Sequence, residues 1–500
     1  MEEKLDLLNK KIAEIASLNG IQALLDWDQQ VNMPPGGVED RSNQAALIGE
    51  LIHHRSTSPE LGQLIEDLAK EIGDLDAEDD AARIVRQAKR NYDLLTKIPV
   101  EKMVEFIRLT TQAHEVWVKA RQTNDFMLYQ PVLQRIIELK REQAELFKPY
   151  DHIYDPLLDM FEPGMKTAEV QEIFAVLRKE QVALLKEIAQ AAQVDNSFIK
   201  KNYNKDLQEK FAKHVISMFG YDWQRGRLDL APHPFTTEFG HGDVRITTRY
   251  LENDGLSALF STMHEAGHAM YEQGLDPKYY NTSLAGGTSL AFHESQSRMW
   301  ENLVGRSKEF WSFFYPSFQM LFPEHLEEVP FERFYKGINR VAPSLIRVEA
   351  DEATYNLHIM LRMEIEIGLV EGSIQSKDLP EIWNAKMQEY LGITPPNDTL
   401  GVLQDVHWSG GLYGYFSTYA LGNLISVQIW EKMLSDMPNM PDDMAKGEFS
   451  GILGWLRTNV HQFGSKYRPQ ELIQKITGNK ISPEPYMRYL NQKYRQIYNI

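Results

Sequence analysis

Apolar residues recur at three- and four-residue spacing through most of the first 230 positions: Leu5, Leu8, Ile12 and Ile15; Met103 and Ile107; Val170, Ile173, Val176 and Leu177. That period lays one apolar stripe along a helix, so the chain is restricted to long helices packed side by side. Punctuation is sparse. Met33-Pro34-Pro35-Gly36-Gly37, Ile98-Pro99 and Phe161-Glu162-Pro163-Gly164-Met165 read as turns, none of them long enough to be an interdomain linker. The texture changes between His233 and Tyr250, where β-branched and aromatic residues alternate with polar ones after Gly and Pro. This is the strand or hairpin candidate, and Asp243 to Thr247 is expected to form an edge strand able to hold an extended peptide. Asn253 or Asp254 is expected to cap a helix from Ser257 to Tyr271 that stops at Gly274. Helical periodicity then resumes to the C-terminus. The expected fold is mainly α with one small β-sheet.

Composition narrows the chemistry. With 53 basic against 71 acidic residues and a formal charge of −18, the chain lacks the basic footprint of a nucleic-acid or anionic-membrane binder. An anionic ligand must therefore meet a local basic pocket. Zero cysteines exclude disulfides, thiol nucleophiles and thiolate metal sites, so any transition metal must be held by His and carboxylate groups. The charged amphipathic start, MEEKLDLLNKKIAEIASL, has no secretory pattern and no apolar run is long enough to span a bilayer, so the expected location is cytoplasmic.

One helix carries His264-Glu265-Ala266-Gly267-His268. Histidines four residues apart project from one helix face and can reach a single ion, while Glu265, turned by about 100°, can stand beside the metal as a base. Leu259, Phe260, Met263 and Met270 give that helix a buried side, on which three polar groups would be costly without a partner. A catalytic site wants a third protein ligand. The segment Gly286 to Glu301 supplies His293, Glu294 and Glu301, and spacing does not choose among them.

Three further clusters have the composition of a ligand site. Asp243-Val244-Arg245-Ile246-Thr247 precedes the metal helix. Ile346-Arg347-Val348-Glu349-Ala350-Asp351 is expected to open a helix, with Arg347 paired to Asp351, to a distant carboxylate or to a substrate carboxylate. Gly401 to Phe416 gathers Gln404, Asp405, His407, Trp408, Tyr413 and Tyr415 among four glycines, which suits a cleft-lining loop, and His407 with Tyr415 or Tyr413 can donate hydrogen bonds to an oxyanion.

These motifs together resemble the HEXXH metallocarboxypeptidases of the carboxypeptidase Taq family: D-x-R-x-T at Asp243, His264 to His268, H-E-S-Q at His293, I-R-x-x-A-D at Ile346 and G-x-x-Q-D-x-H-W at Gly401. The likeness extends to Leu25-Asp26-Trp27-Asp28-Gln29 and Tyr154-Asp155-Pro156-Leu157-Leu158, and so covers nearly the whole chain. It implies one zinc per chain held by His264, His268 and Glu294, with cobalt able to substitute, and Glu265 as catalytic base. It also implies a neurolysin-like helical body with a deep central groove in one catalytic domain over residues 1–500, the helices of about residues 1–100 forming a wall or lid, and a homodimer. His407 and Tyr415 are similar to the oxyanion-stabilising pair of such peptidases. Those relatives carry an acidic residue four positions after the glutamate ligand, where this chain has Arg298, so Asp243 and Asp351 are the candidates for orienting the zinc histidines.

The implied activity is removal of single residues from the C-terminus of peptides, with broad specificity, by Glu265-assisted attack of water on the metal. Arg347, Arg245 or both would read the free carboxylate, with Tyr413 as a further substrate contact. The alternatives are a zinc oligopeptidase cutting internal bonds, and a silent helical binding protein that keeps the metal as a staple. An intact Glu265, unneeded for structure, speaks against the last.

Overall fold

The computed structural model describes residues 1–73, 76 and 78–500. The described chain is helical almost throughout, interrupted by one three-stranded sheet, and among the described residues no helix is long and apolar enough to cross a membrane. Four helices open the chain: α1 (Glu2–Val31), α2 (Val38–Ser56), α3 (Pro59–Glu71) and α4 (Asp80–Thr96). The apolar stripes of α1, α3 and α4 meet in a small core of their own, where Leu8, Leu61, Ile65, Leu68 and Val85 close against Tyr279 and Leu284 of a later loop. The later elements, from α5 (Val100–Thr123) onwards, contribute to a separate, much larger core.

The sheet consists of β1 (Leu228–Leu230), β2 (Thr236–Gly240) and β3 (Asp243–Thr248), in the order β1-β3-β2. The hairpin expected between His233 and Tyr250 is β2 with β3, antiparallel with Thr236 opposite Ile246. The expectation of a free edge at Asp243 to Thr247 is corrected: β1 pairs parallel with the other side of β3, Leu228 opposite Ile246, so β3 is the central strand and β2 holds an edge. Three residues upstream of a proline gave no alternating pattern long enough to announce β1. Val244, Ile246, Thr247 and Thr248 are buried, as the middle strand requires. Over the other face of the sheet, α1 presents Trp27 edge-on to Phe239 at 6.2 Å between ring centroids.

The metal-bearing helix is α6 (Ser257–Glu272); its N-cap position is Leu256 rather than Asn253 or Asp254, and Asp254 accepts hydrogen bonds from the Leu256 and Ser257 amides in the turn before it. Next comes α7 (Leu290–Arg298), capped by Ser289, whose hydroxyl accepts from Phe292 N, while the buried Glu162 accepts from Ala291 N. Six residues of π-helix, Met299–Val304, extend α7. The helix expected to open at Ile346 is only a short 3₁₀ turn, Arg347–Glu349. Asp351 then breaks the helical path by accepting from the Ala342, Ala353 and Thr354 amides, and α8 begins at Tyr355 and runs to Glu371. The last helix of the site is α9 (Ser417–Asp436).

Candidate active site

Two glycines let three helices meet at bonding distance. A Cβ on Gly267 of α6 would stand 2.6 Å from the Ser297 Cα of α7, and one on Gly422 of α9 would stand 2.7 Å from the Glu294 Cβ. Because α6 and α7 can approach this far, the Nε2 atoms of His264 and His268 face the Glu294 Oε2 at 3.6 and 3.5 Å. The three donor atoms lie within 4.8 Å of one another. Two imidazoles and one carboxylate form the donor set of a catalytic zinc site, and the outer nitrogens are already engaged, so both lone pairs turned toward Glu294 are free for an ion. The residues fit the metal.

The groups that hold this cluster are not the ones expected. His264 Nδ1 lies 2.9 Å from Glu301 Oε2, and His268 Nδ1 lies 2.7 Å from His293 Nδ1, whose other nitrogen lies 2.5 Å from Glu272 Oε1. Glu301 and His293 thus occupy the orienting positions proposed for Asp243 and Asp351. Asp243 is instead engaged with Arg245 at 2.8 and 2.7 Å. Asp351 is spent on backbone amides. Arg298, standing where relatives carry an acid, hydrogen-bonds Glu294 Oε1 at 2.7 Å and Glu301 Oε2 at 3.1 Å, so one cation ties the ligand carboxylate to the orienting one. Sequence spacing contains part of this: Glu294, Arg298 and Glu301 lie four and three residues apart, and the π-helical turn brings the last onto His264.

Electrostatics follow from enclosure. Burial disfavours the charge on Glu294, but Arg298 and the two histidines outweigh it and hold the carboxyl well below its usual range. Burial pushes His268 down to about 4, keeping it neutral and able to ligate. His264 goes the other way: burial opposes its charge, but Glu294 and Glu301 raise it. Glu265 is nearly buried and is raised, first by burial. Its Oε2 lies 2.6 Å from the Thr236 hydroxyl of β2, a contact absent from the sequence reading because it joins strand to helix.

The Gly401 to Phe416 segment is a loop with one 3₁₀ turn, His407–Gly410. It places His407 and Tyr415 side by side, rings stacked at 5.5 Å. Burial lowers His407 to about 4, leaving a neutral imidazole. Burial raises Tyr415, and Glu294 adds to that; its hydroxyl lies 3.0 Å from the Tyr419 hydroxyl of α9. Glu366 of α8 anchors this loop from below. It accepts from Trp408 Nε1 at 2.8 Å, Gly414 N at 3.0 Å and Tyr154 Oη at 2.6 Å, so one carboxyl grips the residues flanking His407 and Tyr415.

Arg347 is 6% exposed. Its carboxylate partner is Asp405, 58 residues away, at 3.2 Å, rather than Asp351, and its Nη1 donates to Tyr355 Oη at 3.0 Å. The fully buried Arg362 donates to the other Asp405 oxygen at 2.6 Å. Two guanidiniums therefore share one carboxylate, and one positive charge stays unmatched. Arg245, by contrast, has its fork filled by Asp243 and stands 4.4 Å from the Trp27 ring centre and 4.6 Å from that of Phe239, tying α1 to the sheet. Tyr413, expected to touch substrate, is 1% exposed and stacks on Trp408. Its surroundings are those of a core residue.

Comparison with known proteins gives a consistent result. The family described as carboxypeptidase Taq (M32) metallopeptidase matches residues 7–494. The chain is 41% identical over 495 residues to thermostable carboxypeptidase 1 of Thermus thermophilus, covering 97% of each chain. It is 39% identical over 498 residues to carboxypeptidase 1 of Bacillus subtilis, covering 99% of this chain and 98% of the relative. Among solved structures, the M32 carboxypeptidase of Deinococcus radiodurans superposes with a TM-score of 0.97 at 40% identity over 100% of both chains. Metallocarboxypeptidase 1 of Trypanosoma cruzi gives 0.93 at 34% identity, covering 99% of this chain and 100% of the other.

Proposed function

The chain belongs to the carboxypeptidase Taq (M32) family and is a metallocarboxypeptidase, and on that premise we propose that it removes single C-terminal residues from peptides, with broad specificity, using one zinc held by His264, His268 and Glu294. The observation that carries this reading is the convergence of those three donors with Glu265 alongside on the same helix. Zinc, when bound, supplies Lewis acidity, polarising a carbonyl and lowering the pKa of water towards about 7. Cobalt suits the same donors.

The remaining work falls to side chains of this chain. Glu265, whose Oε2 is steadied by the Thr236 hydroxyl, takes the proton of the attacking water and returns it to the leaving amine. His407 and Tyr415, held in register by Glu366, donate hydrogen bonds to the developing oxyanion. Arg347 reads the substrate carboxylate. The unmatched charge of the Arg347–Asp405–Arg362 cluster supports it, whereas the filled fork of Arg245 supports a structural tie. α1, laid over β2, fits a wall of the groove in a single catalytic domain. A cytoplasmic location suits the cysteine-free composition, and a homodimer rests on the family alone.

Amidated peptides test the carboxylate reader. A charge-assisted hydrogen bond is worth about 1.5–3 kcal/mol, so kcat/KM is expected to fall about 10- to 100-fold when the C-terminal carboxylate becomes an amide. Equal cleavage of both peptides, or internal fragments in the mass spectrum, would reject the assignment.

A further inference from the structure

Along one face of α6, His264, His268 and Glu272 stand on successive turns, and Glu272 lies beyond the metal cluster at the His268 end. A cavity of about 280 Å³ opens there between α1, β2 and the loop after α6, with Asn19, Glu238, His241, Glu272 and Tyr280 among its walls. Glu272 is 7% exposed. Its Oε1 is engaged by His293, but its Oε2 has no hydrogen-bond donor among the described residues. Glu238 stands at the rim of this cavity, partly covered by its walls, and shares a face of β2 with Thr236, the residue that contacts Glu265.

Among the described residues, no lysine or arginine pairs with either carboxyl. Arg225 is committed to Asp222 and to the Gln273 carbonyl, Arg245 is matched by Asp243, and burial lowers His241, leaving it neutral. Two carboxyls in such a place cannot both ionise without a countercharge. Glu272 keeps its charge through His293, while enclosure and Glu272 push Glu238 up to about 9.

Position gives the pair its meaning. Arg347 connects to the opposite end of the cluster through Tyr355, Arg298 and Glu301 to His264. A peptide whose C-terminal carboxylate meets Arg347 therefore runs its N-terminal part towards Glu238 and Glu272. At about 5.4 Å per helical turn, the acidic pair lies roughly 5–11 Å from the cluster, a span that an extended chain covers in about two to three residues. We infer that the cavity at Glu238 and Glu272 is a subsite for a cationic group of the substrate, two or three residues N-terminal to the scissile bond. The group is the free ammonium of a tri- or tetrapeptide, or a Lys or Arg side chain at that position.

This rests on the peptidase reading above, and the test separates the two. The metal-loaded full-length protein is assayed on tri- and tetrapeptides with free or acetylated N-termini, and on longer acetylated peptides carrying Lys or norleucine two or three residues before the cleaved bond. A preference of about 10-fold or more in kcat/KM for the cationic member of either pair is expected, and the pair that shows it identifies the source. In Glu238→Gln the ratio should collapse towards one, and in Glu238→Lys it should invert. Hydrolysis of every peptide at equal kcat/KM, or a ratio unchanged in both variants, overturns the subsite and leaves the peptidase reading standing. Failure to hydrolyse any of them overturns both.

Discussion

Glu366→Gln separates the anchoring carboxyl from every other titrating group. Glu366 is fully buried, and burial raises it from its ordinary 4.5 to about 7 although three donors converge on it. An acid whose folded pKa exceeds its unfolded one binds its proton more tightly in the native state. Stability is therefore highest below about pH 4.5, falls as pH rises towards 7, and is flat beyond. The interval is about 2.5 pH units at 1.36 kcal/mol each, or about 3 kcal/mol in all. Glutamine keeps the shape and cannot titrate. Urea unfolding followed by tryptophan fluorescence, for both proteins from pH 4.5 to 8, should show the variant gaining about 3 kcal/mol relative to the wild type across the window. Other raised acids, such as Asp351 at about 6 and Glu162 at about 8, titrate in both proteins and cancel in the difference. Parallel curves would refute the reasoning. The amide must also turn its NH₂ towards at least one of the three donors, which loosens the loop; kcat should fall by about 10- to 100-fold with metal content unchanged.

Three other substitutions probe the frame of the site. Glu301→Gln weakens the orientation of His264, and competition against a chromophoric chelator should show metal affinity about 10- to 100-fold lower; wild-type affinity would remove Glu301 from that role. Gly267→Ala drives a methyl into Ser297 and Gln296 across the helix contact. Overpacking of this kind costs about 1–3 kcal/mol, visible as a lower thermal midpoint and a weaker metal site, and an unshifted midpoint would mean that α6 and α7 do not need the contact. Asp405→Asn leaves Arg347 and Arg362 without their shared carboxylate, a loss of about 3–5 kcal/mol by analogy with broken buried pairs; a variant as stable as the parent in urea would contradict the shared-carboxylate account.

What was legible in the sequence was local. Helical stripes, the cap at Ser289, the two-histidine helix face and the loop character of Gly401 to Phe416 are all properties of neighbours within one or two turns. Contacts between elements were not legible. Asp405 reaches Arg347 across 58 positions, Thr236 reaches Glu265 across 29, and β1 is too short to reveal that it closes the open side of β3. His293 and Glu301 show the boundary clearly. Both were plausible third ligands by residue type, and only the packing of α7 against α6 turns them into the groups that orient His268 and His264. Tyr413 and Tyr415 differ by two residues in the same aromatic loop, yet the turn at Gly414 sends one into the core and the other against His407.

The account depends most on Glu265 acting as the base beside a metal it does not hold. Glu265→Gln, purified, loaded with zinc and measured for both metal content and hydrolysis of a free-acid tripeptide, tests this directly. One zinc per chain with kcat reduced by about 10²- to 10⁴-fold is the predicted result. Turnover at the wild-type rate with zinc bound would contradict it.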